Sequence, residues 1–219
     1  MGILLEDNYK HKGLRNSLVN NLRKKGIYDE HILNAFMEVP RHFFLDSAFE
    51  NHAYEDKAFG IGEGQTISQP YTVAVQTSLL DIKKSDKVLE IGTGSGFQAC
   101  ILAEMGCQLF TIEYNRKLYS KARKMLDRLG YSSHITCGDG SKGLPLYAPF
   151  DKILVTAGAP MVPKALVEQL AVGGVLVIPV GDRQIQKMLK ITKVEEGKIK
   201  KEEYGDFSFV KLRGKQGWQ

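Results

Sequence analysis

The sequence predicts an α/β domain: a doubly wound, mostly parallel sheet, preceded by helices and closed by a C-terminal antiparallel hairpin. Three observations predict it. From Lys87 onward short apolar runs alternate with helical segments, those runs are almost continuously hydrophobic, and a glycine cluster joins the first run to the helix after it. At 219 residues the chain has room for one such domain, and its 43% hydrophobic and 25% charged residues argue against disorder. The single domain, 1–219, divides into N-terminal helices and a loop (1–70), a central core (87–181) and C-terminal strands (182–219).

The elements follow in order. Residues 8–38 are helical: Leu14, Leu18 and Leu22 recur every fourth residue and Gly26 stops the first helix. A second carries Ile32, Leu33, Phe36 and Met37 on one face, with Asp29 as its cap, and ends before Pro40. From Arg41 to Pro70 come short aromatic clusters, then GIGEG and QTISQP, which suit a loop better than a regular element. A loop of that length inside a compact domain points to function. Strands are expected at Val88–Ile91, Gln108–Ile112, His134–Cys137, Lys152–Thr156 and Val175–Val180, and helices at Gly96–Met105, Arg116–Leu129 and Pro163–Leu170. Met188–Val194 and Tyr204–Leu212 then form the hairpin, with a Glu-Glu-Gly turn between them.

Composition excludes several classes. Lys and Arg number 30 against 25 Asp and Glu, a formal charge of +5, too small an excess to imply a polyanionic partner without a supporting motif. No apolar run approaches the roughly 20 residues of a membrane helix. The opening MGILLEDNYK has no basic leader and its apolar patch ends at Glu6, so a signal peptide is not expected. Glu6 also stands where N-myristoylation wants Ser or Thr. Cys100, Cys107 and Cys137 make neither a disulfide framework nor a metal spacing, and the five histidines form no HExxH pattern. The expectation is a cytoplasmic monomer with reduced thiols, with no metal and no attachment to membrane or nucleic acid.

The most informative residues are Glu90-Ile-Gly92-Thr93-Gly94-Ser95-Gly96-Phe, which leave the first core strand and open a helix. Glycines there let backbone approach a ligand, and exposed N–H groups favour anionic groups. The same residues admit other readings. Gly94, Gly96 and Ala99 satisfy the dinucleotide pattern G-x-G-x-x-A, and a packing turn without a ligand also fits. An acidic residue ahead of the first glycine separates the readings: E-x-G-x-G-x-G resembles the first motif of S-adenosylmethionine-dependent methyltransferases. That resemblance implies a loop around the amino-acid end of the cofactor. It also implies Glu113, ending the second core strand, as acceptor for the ribose hydroxyls, and Asp139 of Gly138-Asp139-Gly140 as acceptor for the adenine amino group.

Neither Pro-Pro nor Pro-Cys occurs, which removes the usual signatures of nucleic-acid amino and cytosine-C5 methylation. The basic residues of Arg116–Arg128 read as a solvated helix face rather than a phosphate track. More specifically, Val39-Pro-Arg41-His-Phe43 and Gly62-Glu-Gly-Gln-Thr66-Ile67-Ser68-Gln69-Pro70 resemble the N-terminal signature of the protein-L-isoaspartate O-methyltransferases. The similarity continues through VLEIGTGSGFQA, GDG, PFDKILVTAGAP and LVEQLAVGGVLVIPVG. It departs at Phe209-Val-Lys211-Leu, where the family usually has FVPL; Lys211 frees φ and restores an N–H.

The resemblance implies a Rossmann-like methyltransferase sheet of seven strands, its terminal strands ordered unusually, and S-adenosylmethionine as cofactor. The implied substrates are isoaspartyl-containing proteins and peptides, whose free α-carboxylate is methylated and then closes to a succinimide. Ser68 matches the family's active-site serine, with Thr66, Ile67 and Gln69 around it in the substrate loop. Glu90, Gly92–Gly96, Glu113, Asp139 and Gly140 are the expected cofactor contacts. A turn-forming role for Ser68 remains open on the residues alone, as do an RNA or small-metabolite methyltransferase, an NAD-type dehydrogenase and a non-catalytic cofactor-binding regulator.

Overall fold

The computed structural model describes residues 6–218; the leader reading rests in part on residues 1–5, which lie outside them. Helix α1 (Tyr9–Lys24) starts with a reciprocal cap, the Asn8 side chain accepting from His11 N and His11 Nδ1 accepting from Asn8 N. Helix α2 (Glu30–Glu38) is capped by Asp29, as expected, and buries Ile32, Leu33, Ala35 and Phe36. Two short 3-10 segments follow, Arg41–Phe44 and Ser47–His52.

The next stretch departs from the sequence reading. Instead of a loop, β1 (Phe59–Gly62) and β2 (Gln65–Ile67) form an antiparallel hairpin in which Phe59 faces Ile67. Gly62, Glu63 and Gly64 all take positive φ at its tip, so the glycines serve the turn, beside which the register shifts between Gly60 and Gly62. Helix α3 (Pro70–Leu80) was not expected at all. Proline occupies its first turn, where no N–H is needed.

The core then alternates: β3 (Lys87–Ile91), α4 (Phe97–Glu104), β4 (Gln108–Glu113), α5 (Arg116–Leu129), β5 (His134–Cys137), β6 (Phe150–Val155), α6 (Lys164–Glu168) and β7 (Leu170–Gly181). The antiparallel β8 (Gln186–Glu195) and β9 (Lys198–Phe207) complete a seven-stranded sheet of order β5-β4-β3-β6-β7-β8-β9. Pairing is parallel from β5 to β7 and antiparallel beyond. The final strand is corrected: it begins at Lys198 and ends at Phe207 rather than running from Tyr204 to Leu212. Gly158, just past β6, explains the departure. It donates to the Val210 carbonyl at 2.8 Å and accepts from Leu212 N at 2.8 Å, drawing 210–212 off the sheet and across the end of β6.

Strand alternation sorts the core into two layers. Val88, Leu154 and Val177 join the side covered by α1 to α5, whereas Leu89, Ile153, Val155, Leu176 and Ile178 face the side covered by α6 and the tail residue Leu212. Among the described residues no helix is long and apolar enough to cross a membrane. The order reverses at β3, which has β4 on one side and β6 on the other, and open α/β sheets place ligands outside the carboxyl ends of strands at such a point.

Candidate active site

A cavity opens at that reversal, with about 820 Å³ of open space including its mouth. Gly92, Thr93, Gly94 and Ser95 line it at the end of β3, Glu113 and Tyr114 at the end of β4, and Gly140 after β5. Thr66, Ile67 and Ser68 line it from the hairpin side, and Val210 to Arg213 from the tail. Close approach requires glycine at two of these positions. A Cβ on Gly92 (φ +99°) would sit 2.5 Å from Thr156 Oγ1, and one on Gly140 would sit 2.6 Å from Ile91 Cγ2.

Glu113 is 6% exposed and its two oxygens already hold backbone: Oε2 accepts from Gly94 N at 2.8 Å and Oε1 from Asn115 N at 2.7 Å. A carboxylate offers about four lone-pair directions, so two remain for a ligand's hydroxyls. The same carboxylate ties the glycine loop to the N-terminus of α5.

Three expected contacts stand off the cavity wall. Gly96 packs against Ala122 and Leu126 of α5. Asp139 caps the turn after β5, with Oδ1 accepting from the Ser141 amide (3.0 Å) and hydroxyl (2.6 Å) and Oδ2 from Lys215 N (3.0 Å). Burial alone would raise its pKa, but the hydrogen bonds from Ser141 and Lys215 and the charge of Lys142 outweigh it and hold the carboxyl below its ordinary value. Its side chain therefore pins the tail.

Glu90 is fully buried beneath the loop, because it points to the opposite side of β3 from the cavity-lining Ile91. Its Oε2 accepts from Thr111 Oγ1 at 2.5 Å, the Thr111 hydroxyl is 2.6 Å from Thr93 Oγ1, and Oε1 has no partner among the described residues. Burial pushes its pKa from 4.5 to about 8, with the Thr111 bond opposing and the Glu113 charge adding. Folding thus favours the protonated form, and the stability this gives is complete below pH 4.5 and is lost as pH rises through about 8. Glu90→Gln has no proton to lose, so between pH 6 and pH 8.5 it should gain about 2 kcal/mol on the wild type in urea unfolding. A constant difference at both pH values would mean that Glu90 does not titrate in this window.

A second cavity, of about 1360 Å³ including its mouth, adjoins the first and is lined by Ser68, Gln69 and Tyr71 on one side and by Asp206 to Val210 on the other. Thr66, Ser68, Thr156 and Val210 line both. Ser68 lies between β2 and α3, and its hydroxyl has no hydrogen-bond partner among the described residues. Several neighbours carried no expectation. Thr156 bridges the carbonyls of Ile91 (2.9 Å) and Gly92 (2.6 Å) through its hydroxyl. Asn115, Gln98 and Tyr114 line the first cavity. Arg41, quoted only as part of a signature, donates to the Ser68 carbonyl at 2.9 Å.

Asp7, His11 and His42 bring possible metal-ligating atoms within 4.8 Å of one another. The imidazole nitrogens are already engaged, His11 with Asn8 N and Glu50, His42 with the Tyr54 hydroxyl and the Glu6 carbonyl. The cluster is a hydrogen-bonded bracket for the N-terminal helix.

The family model for Protein-L-isoaspartate(D-aspartate) O-methyltransferase matches residues 13–217. A protein-L-isoaspartate O-methyltransferase from Cytophaga hutchinsonii is 62% identical over 214 residues, covering 98% of this chain and 97% of that protein. Another from Flavobacterium psychrophilum is 54% identical over 209 residues, covering 95% and 98%. Among solved structures, one protein-L-isoaspartate O-methyltransferase superposes with a TM-score of 0.85 at 32% identity, over 93% of this chain and 67% of that one. A Plasmodium falciparum protein assigned to the same enzymes, in complex with S-adenosyl-L-homocysteine, gives 0.79 at 27% identity, over 95% and 99%. With hairpin, glycine loop and tail all inside the matched region, the chain belongs to the protein-L-isoaspartate O-methyltransferase family.

Proposed function

We propose that this protein transfers a methyl group from S-adenosylmethionine to the free α-carboxylate of L-isoaspartyl residues in damaged proteins and peptides, which starts their repair through a succinimide. One observation carries the reading beyond family membership: a chamber walled by the glycine loop and an open groove meet at a serine hydroxyl that has no partner among the described residues. Methyl transfer needs a cofactor on one side and an acceptor on the other, with a shared wall between them.

The chamber fits the cofactor. Gly92 to Ser95 form a close-packed cradle for its amino-acid end, and the spare lone pairs of Glu113 suit ribose hydroxyls. Asp139 acts on the adenine end indirectly, through the tail it holds. Glu90 sets the loop from beneath. When bound, S-adenosylmethionine supplies a methyl carbon on a cationic sulfur that leaves as a neutral thioether.

The acceptor carboxylate, with an unperturbed pKa near 3.5, is ionised at neutral pH, so the chain has no proton to remove. Its task is to aim one oxygen and exclude water, and orientation alone can supply about 7–11 kcal/mol. The Ser68 hydroxyl donates to that carboxylate and fixes its approach, while Thr66 and Gln69 shape the groove beside it. Ile67, 3% exposed, anchors the segment in the core. The groove suits a peptide better than a nucleic acid, because among the described residues that line it Asp206 is the one charged group and none is a cation for phosphate. We place the protein in the cytoplasm, acting as a monomer.

Incubation with labelled S-adenosylmethionine and an isoaspartyl peptide should give a base-labile methyl ester; label on RNA or a small metabolite and none on the peptide would overturn the reading. Ser68→Ala should lower kcat on the peptide about tenfold or somewhat more by misplacing the acceptor oxygen, with S-adenosylhomocysteine affinity held within about twofold. The loss is modest because charge on the carboxylate falls towards the transition state. Wild-type kinetics in that variant would leave Ser68 a turn residue only.

A further inference from the structure

Arg41 is 1% exposed, so a guanidinium has been taken out of water, a transfer that is costly unless its donors are satisfied. They are satisfied incompletely. Nε donates to the Ala53 carbonyl at 3.0 Å, Nη2 to the carbonyls of Lys57 at 3.2 Å and Ser68 at 2.9 Å, and Nη1 has no partner among the described residues. Burial lowers its pKa to about 9, with the charges of Asp56 and Tyr54 opposing, so it stays protonated at neutral pH. An apolar side chain of similar volume would fill the space with no orphaned donor. The planar fork does something such a side chain cannot: it gathers carbonyls from three separate turns of the chain, one of them that of Ser68.

The chain just after Ser68 is held as well. Gln69 is the N-cap of α3 but makes no side-chain cap bond. Asp56 supplies one instead, its Oδ1 accepting from Tyr71 N at 2.8 Å, and Lys25 backs that carboxylate at 2.5 Å. Backbone is thus gripped at the carbonyl of residue 68 and at the amide of residue 71. The guanidinium also lies 4.8 Å from the ring centroid of Phe97, which follows the glycine loop and lines the cofactor chamber. Arg41 therefore touches both the substrate segment and the base of the cofactor segment.

We propose that Arg41 and Asp56 are a positioning pair for methyl transfer, clamping the backbone at Ser68 and just after it so that its hydroxyl stands between the two chambers. The proposal rests on the acceptor-aiming role given to Ser68 above. Neither residue touches the reacting atoms; each acts through the serine. Lysine at 41 keeps the charge but replaces a five-donor fork by a point ammonium, which cannot hold three dispersed carbonyls. A purely structural role would lower stability and cofactor binding alike, and its cost would add to that of any other change.

A double-mutant cycle tests this, with kcat and KM on an isoaspartyl peptide and calorimetric S-adenosylhomocysteine affinity as readouts. Arg41→Lys should lower kcat about tenfold and leave cofactor affinity within about twofold. In a Ser68→Ala background the same change should cost less than about twofold in kcat, because the group it positions is gone. Asp56→Ala should repeat the pattern, and it carries the test if Arg41→Lys does not fold. A full loss persisting in the Ser68→Ala background would overturn the proposal, as would unchanged kcat in the single variants. Ser68→Ala alone reports on the serine's own role, so failure of that reading is seen separately.

Discussion

Glu113→Ala is expected to weaken S-adenosylhomocysteine binding by about 2–4 kcal/mol, roughly thirtyfold to a thousandfold, and to lower the stability of the fold as well. From sequence alone its expected partners are ligand hydroxyls rather than protein groups, so that binding suffers more than the fold. The structure corrects that: both oxygens accept backbone N–H groups, Gly94 at 2.8 Å and Asn115 at 2.7 Å, at a site 6% exposed. Truncation strands two donors, each costing about 1–3 kcal/mol if water cannot reach it. One of them sits in the glycine loop, at a residue with φ +54°, so the cradle loosens as the ligand contacts go. Calorimetric titration and urea unfolding of the same variant separate the terms. A drop in stability with unchanged affinity would make Glu113 a purely structural brace, and the reverse would mean the loop holds its shape unaided. Asp139→Ala should act more weakly and differently, because it frees the tail at Lys215 rather than a ligand contact.

What the sequence could and could not convey follows from the physics of each element. The parallel core was legible because strands buried on both faces read as continuous apolar runs, and β3, β4 and β6 lie within two residues of their expected bounds. Helix α3 was not legible because it has no polar face: it buries Thr72, Gln76 and Thr77 along with Val73, Ala74 and Leu80, so the 3.6-residue signal vanishes. The β1–β2 hairpin was read as a loop because glycines stand where strand formers would. The site shows a parallel division. Motif position was enough to bring Gly92 to Ser95, Glu113 and Gly140 to one cavity. It could not say which way a carboxylate turns: Glu90 and Ile91 are neighbours on one strand and face opposite sides, and Asp139 spends both oxygens on its own chain. Arg41 and Asp56 were missed because a buried arginine and a helix cap supplied from another segment leave no local pattern.

The protein should methylate isoaspartyl peptides at least about a hundredfold better than their aspartyl twins, by comparison of kcat/KM. The two peptides have the same charge and composition; one methylene has moved from side chain to main chain. Attraction for a carboxylate therefore cannot tell them apart. A site that also holds the flanking backbone can, because the shifted carboxylate then misses the methyl carbon by a distance that matters to rate. The groove supplies two walls for such a grip, Thr66 to Gln69 on one side and Phe207 to Val210 on the other. The second wall is itself fixed to β6, since Gly158 binds the carbonyl of Val210 and the amide of Leu212. Lys211 sits between those two bonds with its own N–H unpartnered among the described residues, at the position where proline is usual in the family. Lys211→Pro removes a donor that the fold does not use, so it should shift peptide KM by about two- to fivefold and leave S-adenosylhomocysteine affinity unchanged. If both peptides were labelled equally, backbone grip would not be the source of selectivity and the repair reading would fall with it. If Lys211→Pro changed cofactor affinity instead of KM, the tail would belong to the cofactor chamber alone, and the discrimination would have to come from the hairpin side.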